Sequence, residues 1–122
     1  MDWKLELVTI PVSDVDRAKA FYVEQAGFVD DHDHVVNDAM RFVQLTPPGS
    51  ACSIAIGTGL TDLTPGSAQV QLVVADVAAA RAELQARGVE VSDVQTFDWG
   101  SFVFFADPDR NRWAVQQLPP RD

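Results

Sequence analysis

The sequence predicts an α+β fold: two tandem βαβββ modules whose strands form a concave, partly open mixed sheet around a cavity. Three observations carry this. An order of strand, helix and three further strands can be read twice along the 122 residues. Val12-Ser13-Asp14-Val15 aligns with Val74-Ala75-Asp76-Val77 at an offset of 76 − 14 = 62 residues. The turn at Pro47-Pro48 aligns with Pro108-Asp109 at an offset of 108 − 47 = 61. Near-equal offsets over separate elements imply an internal duplication. The expected organisation is one domain, 1–122, with modules at about 1–57 and 67–119 and a linker at about 58–66.

Each element has a local reason. Lys4–Val12 is rich in Leu, Val and Ile and partly alternates, which predicts a strand with Pro11 near its end. Ser13-Asp14-Val15-Asp16 starts a helix, with a capping side chain and acids in the first turn. Val15, Ala18, Phe21 and Tyr22 make its apolar stripe, and Gly27 stops it. Strands follow at Phe28–Val36, Met40–Leu45 and Ala51–Ile56, separated by Asn37-Asp38 and by Thr46-Pro47-Pro48-Gly49-Ser50. Gly57–Gly66 reads as the linker. The second module predicts a strand at Val70–Val74 and a helix at Asp76–Arg87 stopped by Gly88. Strands at Val89–Val94, Phe102–Phe105 and Arg112–Gln117 complete it.

Composition excludes several classes. Nine basic against 18 acidic residues leave a net charge of −9, against a phosphate-backbone partner and against docking on an anionic membrane. With one cysteine, Cys52, neither an internal disulfide nor a multi-cysteine metal site can form. No secretion signal is visible, and no apolar run approaches the roughly 18 residues of a membrane span. A cytoplasmic location is the expectation.

Several motifs in order carry a family resemblance. They are Ile10-Pro11-Val12-Ser13-Asp14-Val15-Asp16-Arg17-Ala18, then Ala20-Phe21-Tyr22 and Gly27-Phe28. The second half adds Val74-Ala75-Asp76-Val77, Arg87-Gly88-Val89 and Asp107-Pro108-Asp109-Arg110-Asn111-Arg112-Trp113. Over nearly its whole length the chain resembles the vicinal oxygen chelate superfamily of glyoxalases, bleomycin-resistance proteins and extradiol dioxygenases. Arg110 stands where that family usually has Gly.

The resemblance implies four metal-ligand positions, one near the start and one on the last strand of each module. Here they read Leu7, Ser53, Gln69 and Ala114. Leu and Ala donate no lone pair, Ser is a poor ligand, and Gln alone holds no divalent metal. The expectation is therefore no metal and no cofactor. His32 and His34, two apart in a probable strand and flanked by Asp30, Asp31 and Asp33, are the only imidazoles. They read either as a polar edge or as a possible acid and base near neutral pH.

Alternation along strands then nominates the cavity lining: Leu7, Thr9, Ser53, Gln69, Gln71, Ala114 and Gln116. Pairing Thr46 with Ala51 would add Phe42 and Gln44, whereas a bulge would present Arg41 and Val43 instead. Trp99, in a polar-aromatic loop, suits stacking on a flat ligand. Such a lining fits a small organic molecule held by shape and a few hydrogen bonds. The expected function is a metal-free small-molecule binding protein of the glyoxalase/bleomycin-resistance type. The alternative is a glyoxalase-type lyase, isomerase or dioxygenase with a non-standard site near His32 and His34. By resemblance a homodimer is expected.

Overall fold

A computed structural model describes residues 1–120; Arg121 and Asp122, the end of the expected 1–122 domain, lie outside the described residues. The first module contains β1 (Leu7–Thr9), α1 (Val15–Ala20), β2 (Val29–Asn37), β3 (Met40–Thr46) and β4 (Ser53–Thr58). The second contains β5 (Gln69–Val73), α2 (Val77–Ala86), β6 (Gln95–Phe97), β7 (Gly100–Ala106) and β8 (Arg112–Gln117). The strands make two four-stranded mixed sheets, ordered β1-β4-β3-β2 and β5-β8-β7-β6. In each, the first strand runs parallel to the last and the other neighbours are antiparallel. This is the tandem-module α+β architecture the repeat predicts.

The helix caps match the repeat. The Asp14 side chain accepts from the Arg17 amide, and the Asp76 side chain accepts from the Ala79 amide, each at 3.0 Å. These side chains satisfy amides that have no partner inside the helix. After Ala20 the first helix widens into one π-helical turn, Phe21–Gln25, which sequence periodicity does not reveal.

The strand expected at 51–56 shifts to Ser53–Thr58 and the one expected at 102–105 lengthens to Gly100–Ala106, and two others differ more. The expected strand at 4–12 shortens to Leu7–Thr9, because residues 4–6 find no ladder beyond one bond from the Ser53 amide to the Glu6 carbonyl. The expected strand at 89–94 is replaced by one at Gln95–Phe97. Here the Ser92 amide donates to the Phe104 carbonyl, and the Ser92 hydroxyl accepts the Phe104 amide, both at 2.9 Å. A side chain therefore takes the place of the ladder carbonyl.

Each helix lies on its own sheet, and one core unites both. Val43, Leu45, Ile54 and Ile56 of the first sheet belong to the same buried cluster as Val103, Phe105, Trp113 and Val115 of the second. The π turn joins them: Phe21 meets Phe105 at 6.2 Å and Tyr22 meets Trp113 at 5.7 Å between ring centres.

Beneath these rings lies a buried polar knot built on the turn between β7 and β8. The Tyr22 hydroxyl donates to Asp107 Oδ2 at 2.7 Å and accepts from Trp113 Nε1 at 3.0 Å. Asn111 Nδ2 donates to that carboxyl and to the Pro11 carbonyl, both at 2.8 Å. Asp107 Oδ1 accepts the amides of Asp109 and Asn111. Burial, then the charge of Asp107, pushes the Tyr22 phenol far above its ordinary pKa, so it stays a donor. Outside the knot, Asp109 accepts from the Ser13 amide and hydroxyl. Arg110 pays for the tight turn with φ of 76°, the left-handed region that a glycine takes without strain.

Asp107→Ala leaves the Tyr22 hydroxyl and two backbone amides without their acceptor and takes one of two acceptors from Asn111 Nδ2. The variant is predicted to lose about 3 kcal/mol in urea unfolding. A loss below about 0.5 kcal/mol, ordinary for a surface change, would contradict the knot's role.

Candidate ligand-binding faces

Because the core takes the helix side of each sheet, the opposite faces lie outside it. Register assigns those faces. In the first sheet Leu7 pairs with Ser53 and Thr9 with Ala55, while Gln44 pairs with Ala55 and Phe42 with Gly57. The β3–β4 register differs by two residues from the pairing of Gln44 with Ser53, so the facing is unchanged. Phe42 and Gln44 share the face of Ser53, whereas Arg41 and Val43 point to the helix side. In β2, His32 pairs with Gln44 and His34 with Phe42. An irregularity between Asp30 and His32 absorbs one residue, which puts both imidazoles on this face. Their rings stack at 5.8 Å.

The hydroxyls of this face are engaged with one another. Thr46 Oγ1 lies 2.6 Å from Ser53 Oγ and hydrogen-bonds to the Asp31 carboxylate. Ser53 Oγ also accepts from Gln44 Nε2 at 3.4 Å.

Behind β2, Asp33 accepts from Arg41 and Lys19, each at 2.8 Å, and Arg41 reaches Asp16 at 2.7 Å. The Arg41 guanidinium, then Lys19, holds the Asp33 carboxyl well below the usual carboxylate range. The same bonds raise Lys19 and Arg41. This network spans α1, β2 and β3, and so ties down the strand that carries the histidines.

In the second sheet Gln69 pairs with Arg112, Gln71 with Ala114 and Val73 with Gln116. Phe104 lies opposite Ala114 and Phe102 opposite Gln116. Cys52 and Trp113 do not belong to these faces; Trp113 is buried in the core and Cys52 precedes β4. The open cavity on the second sheet is about 970 Å³, and its lining includes Gln69, Gln71, Glu90, Phe104, Arg110, Arg112 and Ala114.

Beside it runs a ladder of four aromatic rings. Trp99 stacks on Phe97 at 5.0 Å and 5°, Phe97 meets Phe102 edge-on at 6.0 Å, and Phe102 stacks on Phe104 at 6.0 Å and 4°. Trp99 is 62% exposed. A chain of amides holds it in place: Gln71 Nε2 donates to Gln116 Oε1 at 2.6 Å, and Gln116 Nε2 donates to the Trp99 carbonyl at 2.9 Å. The turn after Trp99 needs Gly100, at φ 139°, where a Cβ would sit 2.6 Å from the Gln117 carbonyl oxygen. Phe104 lines the cavity and was absent from the lining nominated by sequence, whereas the nominated Trp99 and Gln116 are not among its lining residues and lie beside it. Extending the alternation from Ala114 across to β7 would have found Phe104.

The residues at the four positions that the family resemblance led us to expect as metal ligands do not fit a metal. Leu7 and Ser53 sit on one sheet, Gln69 and Ala114 on the other, and Ser53 is already hydrogen-bonded. Among the described residues no three His, Cys, Asp or Glu side chains group as a metal site. No helix among them is long and apolar enough to cross a membrane.

The Glyoxalase/Bleomycin resistance protein/Dioxygenase superfamily model matches residues 4–115, and the chain belongs to that superfamily. Two solved proteins from Streptomyces sp. CB03234 are similar to it. TnmS3, an antibiotic binding protein, is 34% identical, with TM-score 0.86 over 97% of this chain and 98% of its own. A glyoxalase/bleomycin resistance protein is 36% identical, with TM-score 0.81 over 93% of this chain and 100% of its own. The YetH protein of Bacillus subtilis (strain 168) is 25% identical over 115 residues, 90% of this chain and 94% of its own.

Asp33 offers a test of the network behind the histidines. Its folded pKa lies below the unfolded value, so its contribution is complete above about pH 4 and is lost as pH falls further. Asp33→Asn is predicted to unfold at lower urea than the wild type at pH 7, with the gap closing towards pH 3. An equal gap at both pH values would contradict this.

Proposed function

We propose that the protein binds a flat, largely apolar organic molecule without metal, and that it works by holding the molecule rather than converting it. The observation that carries this reading is the aromatic ladder beside a cavity lined by Gln69 and Ala114, a pair that cannot hold a divalent metal. Stacking on Trp99, Phe97 and Phe104 supplies apolar area and orientation. Gln69, Gln71 and Arg112 supply the few hydrogen bonds that set specificity. Such a lining does not stabilise an enediolate, which needs a metal or strong cations. The antibiotic-binding activity of TnmS3 supports the same direction, as does the net charge of −9, which tolerates a cationic ligand.

The working unit in this reading is a homodimer. Each chain presents its two ligand faces outside the core, so one wall of each binding cavity comes from each copy. The surface area supports it. A compact monomer of 13.3 kDa exposes about 6,450 Å², whereas this chain exposes 7726 Å². The surplus, about 1,300 Å², exceeds the roughly 800 Å² that each partner gives to a standard interface.

A second reading rests on His32 and His34, which share the ligand face and stack. They could act as acid and base in a lyase, isomerase or dioxygenase reaction. A mass change in a bound ligand, abolished by replacing both with Ala, would favour it.

Calorimetric titration with neutral phenazine and cationic 9-aminoacridine tests the binding reading. Trp99→Ala is predicted to weaken binding of whichever probe binds by about tenfold, ~1.4 kcal/mol, without changing the fold. Elemental analysis should find no stoichiometric metal. Unaltered affinity in the variant, or one metal per chain, would overturn the reading.

A further inference from the structure

Acidic side chains outnumber basic ones by 18 to nine, so a cation in this chain has many carboxylates to meet. Arg17, Lys19, Arg41, Arg81 and Arg87 each pair with at least one. Among the described residues Lys4, Arg110 and Arg112 form no ion pair. Lys4 lies ahead of β1, whereas Arg110 and Arg112 both line the open cavity on the second sheet.

The turn that carries the two arginines shows why they stay unpaired. It reads Asp107-Pro108-Asp109-Arg110-Asn111-Arg112, but both of its acids are engaged towards the first module. Asp107 accepts from the Tyr22 hydroxyl and from Asn111 Nδ2, and Asp109 accepts from the Ser13 amide and pairs with Arg17. Glu90 is the one carboxylate in the cavity lining, and it pairs with neither arginine. Two guanidiniums therefore face one carboxylate across this cavity. Arg110 is moreover held at φ 76°, where a glycine would sit without strain. Backbone strain kept at a cavity wall points to a use for the side chain that incurs it.

Register gives the cavity two unlike ends. Phe104 pairs with Ala114 and Ala106 with Arg112, so Arg112 shares the face of Phe104 one diagonal step away. Strand geometry sets that step at roughly 7–8 Å. In the opposite direction along β7 lies Phe102, followed by Phe97 and Trp99. Rings thus give way to guanidiniums along a single face. The net charge of −9 acts at longer range and is screened beyond about 8 Å at physiological salt. At contact the lining decides, and a guanidinium presents a planar fork that a carboxylate meets with two bonds.

We infer that the cavity takes a planar aromatic acid, its rings along Phe104 and its carboxylate on Arg110 and Arg112. The inference rests on the binding reading above and names the class of ligand within it. The ladder of rings selects for shape, and the two arginines select for charge.

The test compares phenazine-2-carboxylate with phenazine-2-carboxamide, which has the same shape without the charge, by calorimetric titration of the full chain at pH 7. The carboxylate is predicted to bind about tenfold more tightly than the carboxamide. Raising salt from about 0.05 M to about 0.5 M should narrow that ratio to about threefold. Arg112→Gln is predicted to narrow it to a similar extent. Arg110→Gly should do the same and, freed of its left-handed strain, should unfold at no lower urea concentration than the wild type. Glu90→Gln removes the like charge and is predicted to widen the ratio about twofold.

If phenazine and both of its derivatives failed to bind, the binding reading itself would fall. Binding of phenazine or the carboxamide with no gain for the carboxylate would overturn the inference alone. So would tighter binding of cationic 9-aminoacridine than of the carboxylate. A full ratio in both Arg110→Gly and Arg112→Gln would overturn their assignment as the acid's partners.

Discussion

The carboxyl of Asp107 is the point on which the arrangement depends. It accepts from the Tyr22 hydroxyl and the Asn111 side chain, and it closes its own turn through two backbone amides. Tyr22 belongs to the first module and Asp107 to the second. The Asn111 bond to the Pro11 carbonyl repeats the same connection. Unpaired polar groups at this depth would each be costly, so the two modules are held in one relative position rather than merely packed together. The rings of Phe21, Phe28, Phe105 and Trp113 then close over the knot as apolar cover.

Consequences for the candidate ligand-binding faces follow. Joining the modules through their helix sides spends the apolar residues of both sheets on one core. What remains outside is a pair of stacked imidazoles, a group of bonded hydroxyls, a chain of amides and a ladder of rings. None of these groups is a divalent-metal set. The chemistry left to such a surface is stacking, shape and hydrogen bonding, which is why binding is the function proposed.

Much of this was legible from residues alone. The helix caps Asp14 and Asp76 and the repeat offset place both helices, because capping is local. Side-chain alternation places Leu7, Thr9, Ser53, Gln69, Gln71, Ala114 and Gln116 on common faces, because the strand period is fixed. The facing of the histidines was not legible, since it turns on one irregularity between Asp30 and His32 that no local sequence pattern marks. Nor was the displacement of the strand expected at 89–94, where the Ser92 hydroxyl competes with the backbone. The direction in which the modules join lies in contacts 85 and 100 residues apart, beyond any local pattern.

The central claim is that the two ligand faces meet between copies and not within one. Isotope-filtered nuclear Overhauser spectroscopy on a mixture of labelled and unlabelled chains tests it most directly. The account predicts cross-peaks between copies that link Leu7 or His34 on one face with Phe104 or Trp99 on the other. If these pairs gave no cross-peaks in a sample shown to be dimeric, or only cross-peaks within one chain, the claim would be contradicted.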